Sequence, residues 1–186
     1  MVETTRTAVS LAPRLSPMTS AASGLVLVAP KGVSSALADR FAALLGWRLL
    51  PPLPAPGEAP EQQLQALLAC PGDWLQPLAV PAAQDLGAAS CWAELLGAWR
   101  LPTCLLVSDA ERCDGVARSQ VILLQHYRVP LLGVIQCGGT WRPEERRRDG
   151  LPWLGTLCED RGELGLEADL ELRRCLESRL GPARLQ

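Results

Sequence analysis

Two spacings of apolar residues alternate along this chain. Short continuous runs fit strands covered on both faces, and stretches with an apolar residue at every third or fourth position fit helices that bury one side. The first pair is Gly24-Leu25-Val26-Leu27-Val28, followed across a Pro-Lys-Gly loop by residues 34–45, where Leu37, Phe41, Leu44 and Leu45 share one face. Gly46 stands where a helix commonly stops. The prediction is strand, glycine-containing loop, helix.

The middle of the chain is less regular. Residues 50–57, Leu-Pro-Pro-Leu-Pro-Ala-Pro-Gly, exclude helix and central strand because proline fixes φ and carries no N–H, so they read as an extended connector. Residues 61–68 form a short helix, residues 70–78 a turn with a short extended piece, and residues 90–98 a helix carrying Trp92, Leu95 and Leu96. The second half is clearer. It predicts a strand over 103–107 ending at Ser108-Asp109, an amphipathic helix over 116–127, a strand over 131–137, a polar helix or turn over 142–148 and a short strand over 152–157. A helix over 167–180, with Leu170, Leu176 and Leu180 on one side, closes the chain. Strands alternating with helices imply a mainly parallel sheet with helices on both faces, a three-layer α/β domain over residues 24–186 behind a flexible tail over 1–23.

Composition narrows the picture. A chain of 186 residues with 48% apolar content can bury one sizeable core. The net charge of −2 and the 4% aromatic content argue against nucleic acid as a partner. No apolar run approaches the roughly 20 residues that span a bilayer. The first residues lack the apolar core of a secretory signal, leaving a transit-like or a disordered tail, and Met18 is an alternative start. Seven cysteines with no C-x-x-C spacing read as small buried hydrophobes in a reducing cytosol, so the expected location is cytoplasmic.

Lys31 stands out because it is the only lysine beside seventeen arginines, and it sits between the first strand and the first helix. A phosphate-binding loop puts its charge there. A loop lysine on a solvated face explains the same letter.

Several segments, in order, resemble the dethiobiotin synthetases of the P-loop NTPase superfamily. Cys70-Pro71-Gly72-Asp73-Trp74-Leu75-Gln76-Pro77-Leu78 resembles that family's Gly-rich turn ending in Pro-Leu, which follows an acidic metal ligand. The stretch from Trp92-Ala93-Glu94-Leu95-Leu96 to Leu101-Pro102-Thr103-Cys104-Leu105-Leu106-Val107 resembles a helix leading into the family's "LPVILV" strand. Val129-Pro130-Leu131-Leu132-Gly133-Val134-Ile135 and Leu151-Pro152-Trp153-Leu154-Gly155-Thr156-Leu157 are similar to its "GLxLxGVI" and "PLLGxIP" segments. The resemblance implies a P-loop NTPase-like fold, a homodimer, and closure of a ureido ring on 7,8-diaminononanoate with CO2, driven by ATP and Mg2+.

In that register the family's G-V-G-K-T falls on Gly32-Val33-Ser34-Ser35-Ala36. Backbone amides of these five residues would cradle phosphate, but Ser34 and Ser35 replace the second glycine and the lysine, and Ala36 replaces the magnesium-holding hydroxyl. Lys31 is the candidate catalytic charge, reaching back from the start of the loop. The expected acidic metal ligand falls on Ala69, with Asp73 offered as substitute for both metal and substrate. The amide that reads adenine falls near Gln136. Phosphoryl transfer depends on positioned positive charge and metal, so these losses favour a relic that acts through protein contacts.

Three further groups have two readings each. His126, the only histidine, reads as a catalyst or, as favoured here, as a partner for a helix C-terminus. Asp109, Glu111 and Asp114 follow a strand where open α/β sheets place ligands, and they either bind a cation or amine or form a solvated loop with Asp114 near a helix start. Residues 141–150 mix four arginines with acids: a phosphate or carboxylate site, or, as favoured here, a surface helix of i, i+3 and i, i+4 pairs with Trp141 as an anchor for a protein partner.

Overall fold

In the computed structural model, residues 24–180 are described, apart from 56, 88–89, 114 and 159–162. The expected tail over 1–23 and the reading of Asp114 fall outside the described residues. Strand β1 (Gly24–Val28) leads into helix α1 (Ser35–Leu45), then β2 (Arg48–Leu49), α2 (Pro60–Leu68) and β3 (Trp74–Pro77). A small antiparallel pair, β4 (Asp85–Gly87) and β5 (Ser90–Cys91), precedes α3 (Trp92–Ala98). The second half runs β6 (Thr103–Ser108), α4 (Asp109–Cys113), α5 (Val116–His126), β7 (Leu131–Cys137), α6 (Pro143–Asp149), β8 (Trp153–Leu157) and α7 (Glu163–Leu180).

Six strands form one sheet in the order β2-β3-β1-β6-β7-β8, and every pairing in it is parallel. Alternate residues of each strand feed opposite layers, as the two-residue strand period requires. Val26, Val28, Leu105, Val107 and Val134 pack with Leu64, Trp92, Leu96, Val121 and Leu124 from α2, α3 and α5. Leu25, Leu27, Cys104, Leu106 and Ile135 pack on the other face with Phe41 of α1 and Leu172 and Leu176 of α7. The three-layer parallel architecture expected from the alternating pattern is therefore the one observed. α1 is capped as its letters imply: the Leu37 amide donates to Ser34 Oγ at 3.4 Å, and Gly46 takes φ 70° at the C-cap.

Two sequence expectations change. The short extended piece expected within 70–78 is β3, which is more than a connector: it is a fully buried strand between β2 and β1. Its letters concealed it because Gln76 and Pro77 look wrong for a sheet interior. The Gln76 amide, 1% exposed, escapes the desolvation penalty by donating to the carbonyls of Pro51 at 2.7 Å and Pro77 at 3.1 Å. The proline-rich connector helps by pairing Leu53 with Leu78 in an isolated parallel bridge. Among the described leucines of α7 the buried ones are Leu172 and Leu176, whereas Leu170 is 53% exposed, so of the expected stripe Leu176 faces inward and Leu170 does not.

The cysteines also separate. Cys104 is fully buried in the sheet, and desolvation pushes its thiol far above the ordinary range, while Cys175 on α7 is exposed. The thiolate is the reactive form. Iodoacetamide at neutral pH is therefore expected to label Cys175 in the native protein and Cys104 only after unfolding, as read by peptide mass mapping; native labelling of Cys104 would contradict this core.

Candidate functional site

The strands end at a common carboxyl edge, where open α/β sheets bind ligands. There the six residues from Ala29 to Ser34 join β1 to α1. Gly32 adopts φ +87°, and a Cβ on it would sit 2.1 Å from the carbonyl oxygen of Ala79, just beyond β3. The Gly32 amide donates to Ala29 O at 3.1 Å and the Val33 amide to Leu78 O at 2.8 Å. This pins the loop against the end of β3. One consequence is that the Val33 N–H is already spent on the protein, and Ser34 Oγ is spent on the Leu37 amide.

Ser35 and Ala36 occupy the first two positions of α1, so the register drawn from the sequence puts the absent lysine and hydroxyl at the helix start. The amides of that first turn face no helical carbonyl, which is the general reason helix starts attract anions. Lys31, exposed, lines a cavity of about 140 Å³ together with Gly32, Ser34, Leu37, Ser108, Glu111 and Cys137. Sites for drug-sized ligands usually span about 300–1,000 Å³. The cavity is small for a nucleotide.

Ser108 and Glu111 enter this cavity as a reciprocal cap on α4. Glu111 Oε2 accepts from the Ser108 amide and hydroxyl, both at 3.0 Å, and the Glu111 amide donates to Ser108 Oγ at 3.3 Å. The S-x-x-E spacing of residues 108–111 carries that signal in the sequence, where these acids read as a metal-binding or solvated loop. The carboxylate is tied to its own cap and brings negative charge to a wall that a phosphate would approach.

Asp73 does not join the site. It immediately precedes β3, which runs parallel to β1 with Trp74 opposite Gly24, so it stands at the amino edge, across the sheet from Lys31. Its backbone carbonyl accepts the Arg48 amide at 3.2 Å. The turn over 70–73 therefore leads into a strand, and its resemblance to a Gly-rich turn at the metal site fails on position. At the carboxyl edge the residues after β3 are Leu78, Ala79, Val80 and Pro81, none of which has a side chain that can ligate a cation. Among the described residues no three His, Cys, Asp or Glu side chains gather to hold a metal.

Gln136 is at the expected edge, near the end of β7, but fully buried and fully used. Its Nε2 donates to the carbonyls of Gly138 at 2.7 Å and Thr140 at 3.3 Å. Its Oε1 accepts from Arg146 Nε at 3.0 Å and also from Arg146 Nη2. Reading a base with this amide would break the network. Residues 143–149 form the expected polar helix with i, i+3 ion pairs Arg142–Glu145 and Arg147–Glu144, and only Arg146 departs from the surface reading: it is 3% exposed, while Arg147 and Arg148 are exposed. Its guanidinium stacks 5.6 Å from the Trp141 ring and 5.2 Å from the Trp153 ring, and Nη2 reaches Asp109 Oδ1 at 3.4 Å. One cation thus ties α6 to β7, α4 and β8. His126 ends α5 as expected, in edge contact with the Tyr127 ring at 4.9 Å.

No protein-family model and no curated protein matches the chain. Its geometry must carry the functional reading.

Electrostatics around α6 make one pH effect readable. A hydrogen bond from Arg142, aided by the charges of Arg112 and Arg146, holds the Glu145 carboxyl below the ordinary carboxylate range against partial desolvation. A depressed folded-state pKa contributes stability above the unfolded value, and that contribution is lost as pH falls through the folded one. Glu145→Gln is therefore expected to lower the urea midpoint slightly at neutral pH and to leave it unchanged in acid below the folded-state pKa, which flattens the acid side of the stability profile; an unchanged acid slope would count against the pairing.

Proposed function

We propose that this chain is a P-loop-like domain related to the dethiobiotin synthetases that has lost phosphoryl transfer and acts through contacts with other proteins. The observation that carries this reading is the start of α1, where Ser35 and Ala36 stand at the positions that need a lysine and a hydroxyl. ATP and Mg2+ do not fit the residues present. The loop amide of Val33 is spent, the cavity is about 140 Å³, and Asp73 is at the far edge. Phosphoryl transfer needs positive charge and metal fixed around the phosphates, and the helix start offers neither a lysine nor a metal-holding hydroxyl at the positions that need them.

A second reading, ATP-dependent ureido-ring closure on 7,8-diaminononanoate with CO2, is favoured by one observation: Lys31 lines the same cavity as Ser34 at the helix start. The two part in a biotin auxotroph that lacks dethiobiotin synthetase. Expression of this chain is expected to leave the strain dependent on biotin. Growth without biotin, lost in Lys31→Ala, would establish the enzyme reading and remove the non-catalytic one.

A further inference from the structure

A second depression, of about 410 Å³, opens between α6 and the start of β8, lined by Trp141, Pro143, Arg146, Arg147, Leu151 and Trp153. We propose that this cleft binds a small flat aromatic carboxylate, the rings supplying the stacking surface and the two arginines the charge. It is separate from the Lys31 cavity and shares no lining residue with it.

Three observations carry the proposal. The first is an incomplete buried cation. Buried polar groups are almost always hydrogen-bonded, and an arginine has five N–H groups to satisfy. Nε and Nη2 of Arg146 are taken by Gln136 and Asp109, but buried Nη1 has no hydrogen-bond partner, its nearest carboxylate oxygen, Glu145 Oε2, being 3.7 Å away. A carboxylate is the acceptor that fits a guanidinium edge best.

The second is the charge of the lining. It holds Arg146 and Arg147 and no carboxylate, and the ion pair of Arg147 with Glu144, whose side chains are 70% and 74% exposed, is one that solvent or a ligand can open. Neighbouring Asp149 is turned to internal work, both its oxygens accepting from Trp153 Nε1 at 2.8 Å and Oδ1 also from the Leu151 amide at 3.0 Å. The third is aromatic surface. The Trp141 and Trp153 rings lie 6.2 Å apart at 73°, and Trp141 is only half-buried, so a flat ring can stack where it turns aside to uncover Nη1. The volume falls within the range of about 300–1,000 Å³ usual for small-molecule sites.

The test is calorimetric titration of the full chain with 2-naphthoate, alongside 2-naphthylmethanol and acetate, with the tryptophan indole N–H signals followed by NMR. Saturable 2-naphthoate binding with a Kd of about 1 mM or tighter is expected, with the Trp141 and Trp153 signals moving and those of Trp47 and Trp99 still. The neutral alcohol and acetate should each bind at least about tenfold more weakly. Trp141→Ala is expected to weaken binding about tenfold and Arg147→Ala about threefold. Neither change touches the hydrogen bonds of Gln136, so both variants should fold, as circular dichroism would verify. Absence of saturable binding, equal affinity for the neutral alcohol, or shifts confined to other tryptophans would each overturn the proposal.

Discussion

Replacing Arg146 with leucine is expected to lower stability by about 3 kcal/mol, the sum of an unsatisfied buried carbonyl and two lost cation–π contacts. The oxygen left without a donor is Gln136 Oε1, in a residue that is fully buried. Asp109 loses less, because its side chain is 45% exposed and water can replace the partner. Arg146→Lys should recover less than half of the loss, since an ammonium group cannot donate from two fixed positions to one oxygen while lying flat against two rings. Removing both partners is the informative comparison. A Gln136→Leu, Arg146→Leu double variant should be less destabilised than the sum of its single changes, because no polar atom of the pair is then left buried alone. Urea midpoints for the four proteins provide the measurement, and additive losses would show that the pair is not coupled.

Gly32→Ala should be comparably damaging, by about 2–6 kcal/mol, through the backbone alone. Its φ of +87° costs a residue with a side chain about 1–3 kcal/mol, and the new methyl would meet the Ala79 carbonyl oxygen, placed 2.1 Å from the ideal Cβ. Overpacking against an immobile backbone atom costs about 1–3 kcal/mol more. Gly46→Ala is the matched control: φ is +70°, but nothing lies within 4 Å of its Cβ, so only the conformational cost of about 1 kcal/mol applies. Equal midpoint shifts for the two variants would mean that the loop is not held against the end of β3.

The fold was legible where letters and layers agree. Leu25, Leu27, Val26 and Val28 serve both faces of the sheet, so a continuous apolar run marks β1, and the same holds for β6 and β7. β3 did not read as an interior strand because Gln76 is tolerated there by donating to the Pro51 carbonyl of the neighbouring connector and to that of Pro77, and the connector's part is a tertiary fact with no local signature. That omission misplaced Asp73, since a turn before a strand and a turn after it stand at opposite edges of a sheet. Gln136 fell at the right edge, yet its partner Arg146 lies ten positions away among arginines that face water. Charge pattern cannot tell which of several neighbouring arginines turns inward. The start of α1 was the best-read part of the site, because the apolar spacing from Leu37 and Gly46 as stop fix the helix limits to within one residue, Ser34 proving to be the cap and not the first helical residue.

The most direct measurement is calorimetric titration of ATP with Mg2+ into the intact chain and into Lys31→Ala. No saturable heat is expected for either protein at nucleotide concentrations up to about 1 mM, the weak limit of useful recognition. A micromolar, magnesium-dependent Kd that disappears in Lys31→Ala would contradict the non-catalytic reading and make Lys31 the compensating charge of a working phosphate loop.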